Sequence, residues 1–493
     1  GHTCVPDRYL VKMAAQILQL DPMDVENVFQ KLLADNMLRI EDRGDCVCVY
    51  PDYLYRAESG VAHRLIALRD NVNALWKVDY KKIIEEWERD ERIRLAPEQA
   101  EAVKASVDHG VFVLTGGPGT GKTTVVKGIL SVMEQAGCKI LLAAPTGRAA
   151  KRLAESAGRP ALTVHRMLEY TPQEGGTSFW GRDEDNPLEA DAVIVDEASM
   201  LDIVLMYNLL RALPLGCRLI LVGDADQLPS VGPGNVLQDI IQSGTMPIVR
   251  LENVFRQAEL SPIVRNAHRI NQGMLPEWKG EKDFTFRKFA TEAETMQYVV
   301  SLYAKLAANA PWQSVQVLSP MHKNLCGVEN LNTLIQERMN PPSPQKAELR
   351  SGFLLLREGD KVMQIRNNYE KNVFNGDIGR ILAIQNGIVT VEYPDRTEEG
   401  NVVYEGAEAG DLRLAYAMSV HKSQGSEYAT VIMPLVAGHY IMLQRNLFYT
   451  AITRAKKSVH LAGSEKALRT AVENDRTRKR YSLLAYRLKQ EDS

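Results

Sequence analysis

This chain has no excess of one charge, no cysteine motif and no long apolar run, and each absence removes a class of protein. Its 59 Lys+Arg are balanced by 62 Asp+Glu, a formal charge of −3, so no global positive field draws it to a polyanion. Any such partner must be met by a local groove. Six cysteines in 493 residues, none in a Cys-x-x-Cys pair, exclude a disulfide scaffold and a zinc module and suit a reducing compartment. Cys46 and Cys48, two apart, are expected as neighbours on one face of a strand. No apolar run reaches the roughly 18 to 20 residues of a membrane span. The start Gly1-His2-Thr3 is not a basic segment leading into an apolar one, so a cytoplasmic protein is expected. The absence of an initiator Met leads us to expect a piece of something longer. What is present, 45% hydrophobic and 25% charged residues, is the composition of a folded multi-domain chain.

Residues 1–94 read as an N-terminal helical, winged-helix-like domain. Val25, Val28, Phe29 and Leu32 fall on one helical face after Asp21-Pro22, and a hairpin follows around Arg43-Gly44. Such a unit binds DNA in some settings and is a packing module in others. From residue 95 the texture changes to short β-branched runs, each followed by a helical stretch: Val111 to Leu114, Ile140 to Ala144, Ala192 to Val195 and Leu219 to Val222. A second set, Val315 to Leu318, Thr430 to Met433 and Ser458 to Leu461, follows a helical stretch near 261–310. The fold class is therefore α/β, two tandem parallel-sheet domains. The first takes residues 95–260, with a polar excursion at 170–187 that carries Phe179-Trp180 beside Asp183, Glu184 and Asp185. The second takes 261–345 and 413–493. Between its halves, 346–412 is β-rich, and Asn386-Gly387 signals a two-residue hairpin. The basic run Arg476 to Arg480 reads as a solvated helix face.

The chemistry is densest at Gly116 to Thr123, a phosphate-binding loop in its required place between a strand and a helix. Glycines let backbone N–H groups wrap a phosphate, Lys122 reaches the β- and γ-phosphates, and the Thr123 hydroxyl ligates Mg²⁺. Gly117, Pro118, Gly119, Thr120, Gly121 and Thr124 complete the expected nucleotide contacts. Asp196-Glu197 ends another apolar strand, with Asp196 placed to hold Mg²⁺ and Glu197 to act as general base for an attacking water. That second carboxylate favours hydrolysis over transfer to a small acceptor. Gln227, in Gly223 to Ser230, is a candidate sensor of the γ-phosphate. Arg256 and Arg454 are candidates to stabilise transition-state charge, and Arg454 belongs to the second α/β domain. Gly121-Lys122 is the only Gly-Lys dipeptide, so the second domain has no phosphate loop, and a single ATP site is expected between the two domains.

The ordered set Gly116 to Thr123, Ala144 to Ala150, Asp196 to Ser199, Gly223 to Ser230, Ser419 to Glu427 and Tyr449 to Arg454 resembles superfamily 1 helicases, and within them the RecD-like branch of superfamily 1B, over residues 95–463. Residues 1–94 are similar to the region ahead of the motor in long bacterial proteins of that branch. The resemblance implies two RecA-like domains, with 346–412 as an SH3-like insertion that walls the DNA channel. It implies that Gln99 recognises adenine, and that single-stranded DNA is tracked 5′ to 3′. It assigns DNA contacts to Pro145, Thr146, Arg148, Thr163, His165, Ser319, Pro320, His322, Ser419, His421, Lys422 and Ser423. Hydroxyls, amides and a few cations of this kind hold phosphates without reading bases. His165 also reads as a packed helix residue, beside Val164, Met167 and Leu168. The excursion 170–187 sits where the branch carries a duplex-splitting hairpin, and it also reads as a plain loop. A monomeric DNA-repair helicase acting at single-strand/duplex junctions is implied. A translocase with little unwinding, or a binding module with ATP as a switch, are the other readings. No carboxylate cluster with nuclease-like spacing is present.

Overall fold

The computed structural model describes residues 1–493 except 45, 73–78, 173–178, 254–260, 352–353, 369, 395–399, 476–479 and 493. The chain forms two compact units. The first comprises Gly1–Ala225, Pro229–Asn253 and Arg478–Ser493, and the second Asp226–Leu228 and Val254–Thr477. Among the described residues no helix is long and apolar enough to cross a membrane.

The first unit is built on a six-stranded parallel sheet in the order Ile248–Leu251, Val111–Gly116, Arg218–Gly223, Ala192–Val195, Ile140–Ala144, Leu162–Thr163. Every residue of the two strands Val111–Gly116 and Arg218–Gly223 is buried. This follows from helices on both faces. Phe112, Leu114, Ile194 and Ile220 meet the helices Pro97–Asp108 and Lys122–Gln135, whereas Val111, Val113, Val193 and Leu219 meet Asp52–Asp70 and Ile203–Ala212. Burying each such side chain contributes about 1.5–3 kcal/mol.

The helices and hairpin expected near the N-terminus are present. Asp21 caps Pro22–Ala34 by accepting from Met23 N at 2.8 Å, and Val25 and Phe29 face inward while Val28 stays exposed. Leu38–Asp42 pairs with Val47–Pro51, which holds Cys48, and Cys46 lies just ahead of the strand. These residues do not stand apart as a domain. Leu54, Val61, Leu65 and Leu68 of Asp52–Asp70 share one core with Val193, Met206 and Leu209. The chain's last segment also differs from expectation, because Arg478–Ser493 joins this first unit rather than the second. The cause is Glu58, fully buried, which accepts from Thr3 Oγ1 at 2.6 Å, Tyr50 OH at 2.8 Å, Ser482 Oγ at 3.0 Å and Leu483 N at 3.1 Å. A buried carboxylate needs such donors, and residues 482 and 483 supply two of them.

The second unit carries a five-stranded parallel sheet in the order Phe284–Lys288, Ala455–Gly463, Tyr428–Leu435, Val315–Ser319, Ala417–Ser419. Phe284–Lys288 lies within the stretch 261–310 that reads as helical. Phe284 and Phe286 alternate inward, a period-two signal too short to register against the helices on either side. Between the parallel strands lies a five-stranded antiparallel sheet, Val402–Tyr404, Ile388–Glu392, Ile378–Gln385, Lys361–Gln364, Leu412–Leu414. Its hairpin turns on Asn386 and Gly387, both at positive φ (52° and 80°), as a two-residue turn of that twist requires. Asp360, fully buried, fastens this sheet to the parallel one by accepting from Gln336 Nε2 (2.6 Å), Asn340 Nδ2 (2.7 Å), Arg357 N (2.7 Å) and Tyr416 OH (2.9 Å).

Candidate nucleotide site and nucleic-acid face

The strand Val111–Gly116 ends in a loop whose Gly119 and Gly121 sit at positive φ, 75° and 84°, a conformation that costs a side-chain-bearing residue more than glycine. The loop feeds the helix Lys122–Gln135, whose first N–H groups have no partner of their own. Lys122 Nζ donates to Gly116 O (2.5 Å) and Gly117 O (3.1 Å), and Thr120 Oγ1 donates to Gly117 O (2.9 Å). The loop is thus closed on itself by the groups that a phosphate would draw outward. Gln99 is buried behind it, donating to Thr120 O at 3.3 Å and accepting from Ala96 N at 3.0 Å. Thr123 is exposed at the helix start, and Pro118 and Thr124 are half-buried.

Asp196 and Glu197 follow the strand Ala192–Val195 at the same sheet edge. Burial, then the neighbouring Glu197 charge, pushes the Asp196 carboxyl above the ordinary carboxylate range. A divalent cation there would oppose that push. Among the described residues no three metal-ligating His, Cys, Asp or Glu side chains cluster. The donor set present, a hydroxyl at 123 and a carboxylate at 196, fits that ion. Glu197 has φ 53°, a left-handed backbone on a non-glycine residue.

Beyond Gly223 the chain crosses between units. Ala225 N donates to Thr115 Oγ1 at 3.3 Å in the first, whereas Asp226–Leu228 belongs to the second. There Gln227 Oε1 accepts from Arg454 Nη2 at 2.9 Å, Leu228 N donates to Thr450 Oγ1 at 2.9 Å, and Gln424 Nε2 donates to Leu228 O at 3.0 Å. Two residues singled out for the γ-phosphate, Gln227 and Arg454, are therefore hydrogen-bonded to each other. Arg256 lies outside the described residues.

The residues expected to face DNA divide by burial. In the first unit Thr146 caps Gly147–Ala157 by accepting from Ala149 N (3.3 Å), and Thr163 caps Val164–Met167 by accepting from Arg166 N (3.1 Å). Pro145 and Arg148 are half-buried nearby in sequence. The His165 ring stacks on Trp180 (5.7 Å, 25°) and meets Tyr170 (5.2 Å), and burial holds it below the usual histidine range. In the second unit Ser319 and Ser419 stand opposite each other in register at the ends of paired parallel strands. Their hydroxyls are turned inward, however. Ser319 Oγ donates to Cys326 O (2.7 Å), Ser423 Oγ to Val420 O (2.7 Å), and Ser419 Oγ accepts from Lys422 N (3.4 Å). These serines, whose short hydroxyls close tight turns, are buried, as is Pro320, which leaves His322, His421 and Lys422 as the accessible members. Asn375 was not foreseen. It accepts from Lys422 Nζ at 2.6 Å across 47 residues of sequence, and burial pulls the Lys422 ammonium below the usual lysine range.

The excursion at 170–187 has two short antiparallel arms, Tyr170–Thr171 and Phe179–Trp180, and residues 173–178 lie outside the described ones. Trp180 packs on Tyr170 at 4.6 Å, whereas Phe179 is 57% exposed. The acidic stretch is ion-paired inward, Glu184 with Arg211 at 2.6 Å and Arg64 at 3.3 Å.

A phosphate loop with an acidic pair on one parallel sheet, ahead of a second parallel sheet without such a loop, is the arrangement of a P-loop nucleotide-binding protein. Residues 99–233 match the AAA domain family, 331–393 the SH3 domain of ATP-dependent RecD-like DNA helicases, and 414–462 the UvrD-like helicase C-terminal domain. The RecBCD enzyme subunit RecD of Mycobacterium tuberculosis is 32% identical over 475 residues, covering 86% of this chain and 77% of that protein. The ATP-dependent RecD2 DNA helicase of Deinococcus radiodurans is 39% identical over 391 residues, 79% of this chain. The match spans 52% of that relative's length, about half. A crystal structure of Pif1 helicase from Candida albicans aligns with TM-score 0.49 and 19% identity over 78% of this chain and 96% of that one. The chain belongs to the RecD-like helicase family, and the inserted antiparallel sheet is its SH3-like domain.

Proposed function

We propose that this chain is a cytoplasmic ATP-driven motor that moves 5′ to 3′ on single-stranded DNA and opens single-strand/duplex junctions in DNA repair, acting as a monomer. The observation that carries the reading is the intact hydrolytic set: Lys122 on the loop carbonyls, Asp196-Glu197 at the sheet edge, and the Arg454–Gln227 hydrogen bond in the second unit. In this reading the phosphate loop and Lys122 hold the nucleotide, and Thr123 and Asp196 hold its Mg²⁺, which supplies charge neutralisation at the β- and γ-phosphates. Glu197 takes the proton of the attacking water, and Arg454 is the cation proposed for the γ-phosphate. Polarity and repair come to this chain by family kinship. A second reading, a translocase with little unwinding, is favoured by the packing of Trp180 against His165 and Tyr170, which leaves only Phe179 of the three arm aromatics exposed.

The test is ATP-dependent unwinding of two partial duplexes, one with a 5′ and one with a 3′ single-stranded tail, beside Lys122→Ala. Unwinding of the 5′-tailed substrate alone, lost in the variant, is expected. A 3′ preference would refute the polarity, and DNA-stimulated hydrolysis without unwinding would select the translocase.

A further inference from the structure

The helix Gly147–Ala157 starts beside Thr146 and Arg148, two positions with an expected role in DNA contact. One turn beyond Arg148, on the same face, stands Arg152. Its Nη1 lies 3.9 Å from Glu197 Oε1, with the arginine side chain 39% and the glutamate side chain 14% exposed. The two elements are neighbours in the sheet. Ile140–Ala144, which leads into the helix, pairs with Ala192–Val195, and Asp196 N donates to Ala143 O at 2.9 Å. The strand that leads into the helix is thus hydrogen-bonded to the acidic pair's own backbone. Glu197 itself is held in the left-handed backbone conformation (φ 53°, ψ 38°), which a residue with a side chain keeps only where its surroundings enforce it. Its peptide N–H is turned onto Asp196 Oδ1 at 2.8 Å. The backbone fixes where the Glu197 side chain begins, and the guanidinium of Arg152 is a cation placed to fix where it ends.

We infer that Arg152 is a positioning residue that ties nucleic-acid contact at this helix to the orientation of Glu197. Without nucleic acid it holds the carboxylate toward the Gly147–Ala157 helix. A phosphate taken up beside Thr146 and Arg148 offers the guanidinium a stronger, bidentate partner, and Glu197 is released to orient the attacking water. Hydrolysis is then slow on the free protein because its general base is held aside, and it quickens when the same helix grips a strand. This inference rests on the reading of the chain as a DNA-stimulated ATPase.

The experiment is steady-state ATP hydrolysis with and without a saturating single-stranded thymidine oligonucleotide, for wild type, Arg152→Ala and Arg152→Lys, with Lys122→Ala as the blank. Arg152→Ala is expected to raise kcat without DNA several-fold and bring the stimulation ratio toward one, with KM for ATP unchanged. Arg152→Lys keeps the point charge and is expected to retain most of the stimulation. A wild-type stimulation ratio in Arg152→Ala overturns the inference, whether both rates hold or fall together, since a merely structural arginine would move them in parallel. If Arg152→Ala does not fold, Arg152→Gln is read by the same ratio. A wild-type chain that DNA does not stimulate overturns the motor reading, and this inference with it.

Discussion

Arg454 is the residue whose removal separates binding from chemistry most cleanly. Its guanidinium is 3% exposed and donates to Gln227 Oε1 (2.9 Å), Thr450 O (3.3 Å) and Ser426 O (3.4 Å). Arg454→Ala removes those three hydrogen bonds from a largely buried site, a stability loss of about 2–4 kcal/mol. It also removes the cation expected at the transferring phosphoryl group, where an arginine contributes on the order of 10³ or more to kcat, about 4 kcal/mol. The two costs are of similar size but appear in different assays. Thermal melting reads the first, and DNA-stimulated hydrolysis well below the melting temperature reads the second. Nucleotide affinity, followed with a fluorescent ATP analogue, should stay within a few-fold of wild type, because the phosphate loop lies in the other unit. Arg454→Lys restores a charge without the planar fork, so it should recover some stability and little rate. If Arg454→Ala hydrolyses ATP within tenfold of wild type while folded, Arg454 is a structural pin for Asp226–Leu228 and no part of the chemistry.

Glu58→Ala strips the acceptor from five donors, the Arg487 guanidinium among them, and should cost about 3–5 kcal/mol, read by urea denaturation, with earlier proteolysis of the tail beyond residue 480; a loss under about 1 kcal/mol would mean that the tail docks by its apolar contacts alone. His439 is fully buried, and burial pulls it down to about 4, below its unfolded value near 6.5. The unfolded chain therefore binds the extra proton first, and the second unit should lose stability as pH falls from about 6.5 to 4, by up to about 3 kcal/mol. Melting curves at pH 7 and 5 for wild type and His439→Leu should show that slope flattened in the variant. Asn375→Ala frees the Lys422 ammonium from its fixed place and should weaken single-stranded DNA binding several-fold in fluorescence anisotropy, with ATP affinity unchanged. Phe179→Ala should lower unwinding while sparing DNA-stimulated hydrolysis, and equal unwinding would remove the exposed ring from any part in strand separation.

The central parallel strands were legible because each is a contiguous run, largely apolar, that must be buried on both faces, as Val111–Gly116 is. The phosphate loop was legible for a related reason: strand, glycine turn and helix are consecutive in the chain, so its chemistry is written in one stretch. Phe284–Lys288 was missed because five residues of alternation between two helices offer too little periodicity. The destination of the tail was hidden differently. Nothing in Ser482-Leu483 announces that the pair will meet a carboxylate 424 and 425 residues away, since Glu58 reads locally as one more polar residue in a helix.

The same distinction runs through the site. Lys122, Asp196 and Glu197, the residues proposed to meet the nucleotide, follow the buried strands Val111–Gly116 and Ala192–Val195, whose sequence predicts them. Ser319 and Ser423 resemble phosphate ligands by type, yet a serine hydroxyl is as good a closure for a tight turn, and sequence alone does not say which way it faces. The residues overlooked are Arg152 and Asn375, and both act on another side chain rather than on a substrate. Transmission requires two elements that move separately, so such pairs join segments distant in sequence, where no spacing rule operates. Arg152 had one local clue, its place one turn beyond Arg148 on a single helical face. Motifs therefore record the proposed nucleotide site, whereas the residues proposed to tie hydrolysis to DNA become visible only when the strands that carry them are laid side by side.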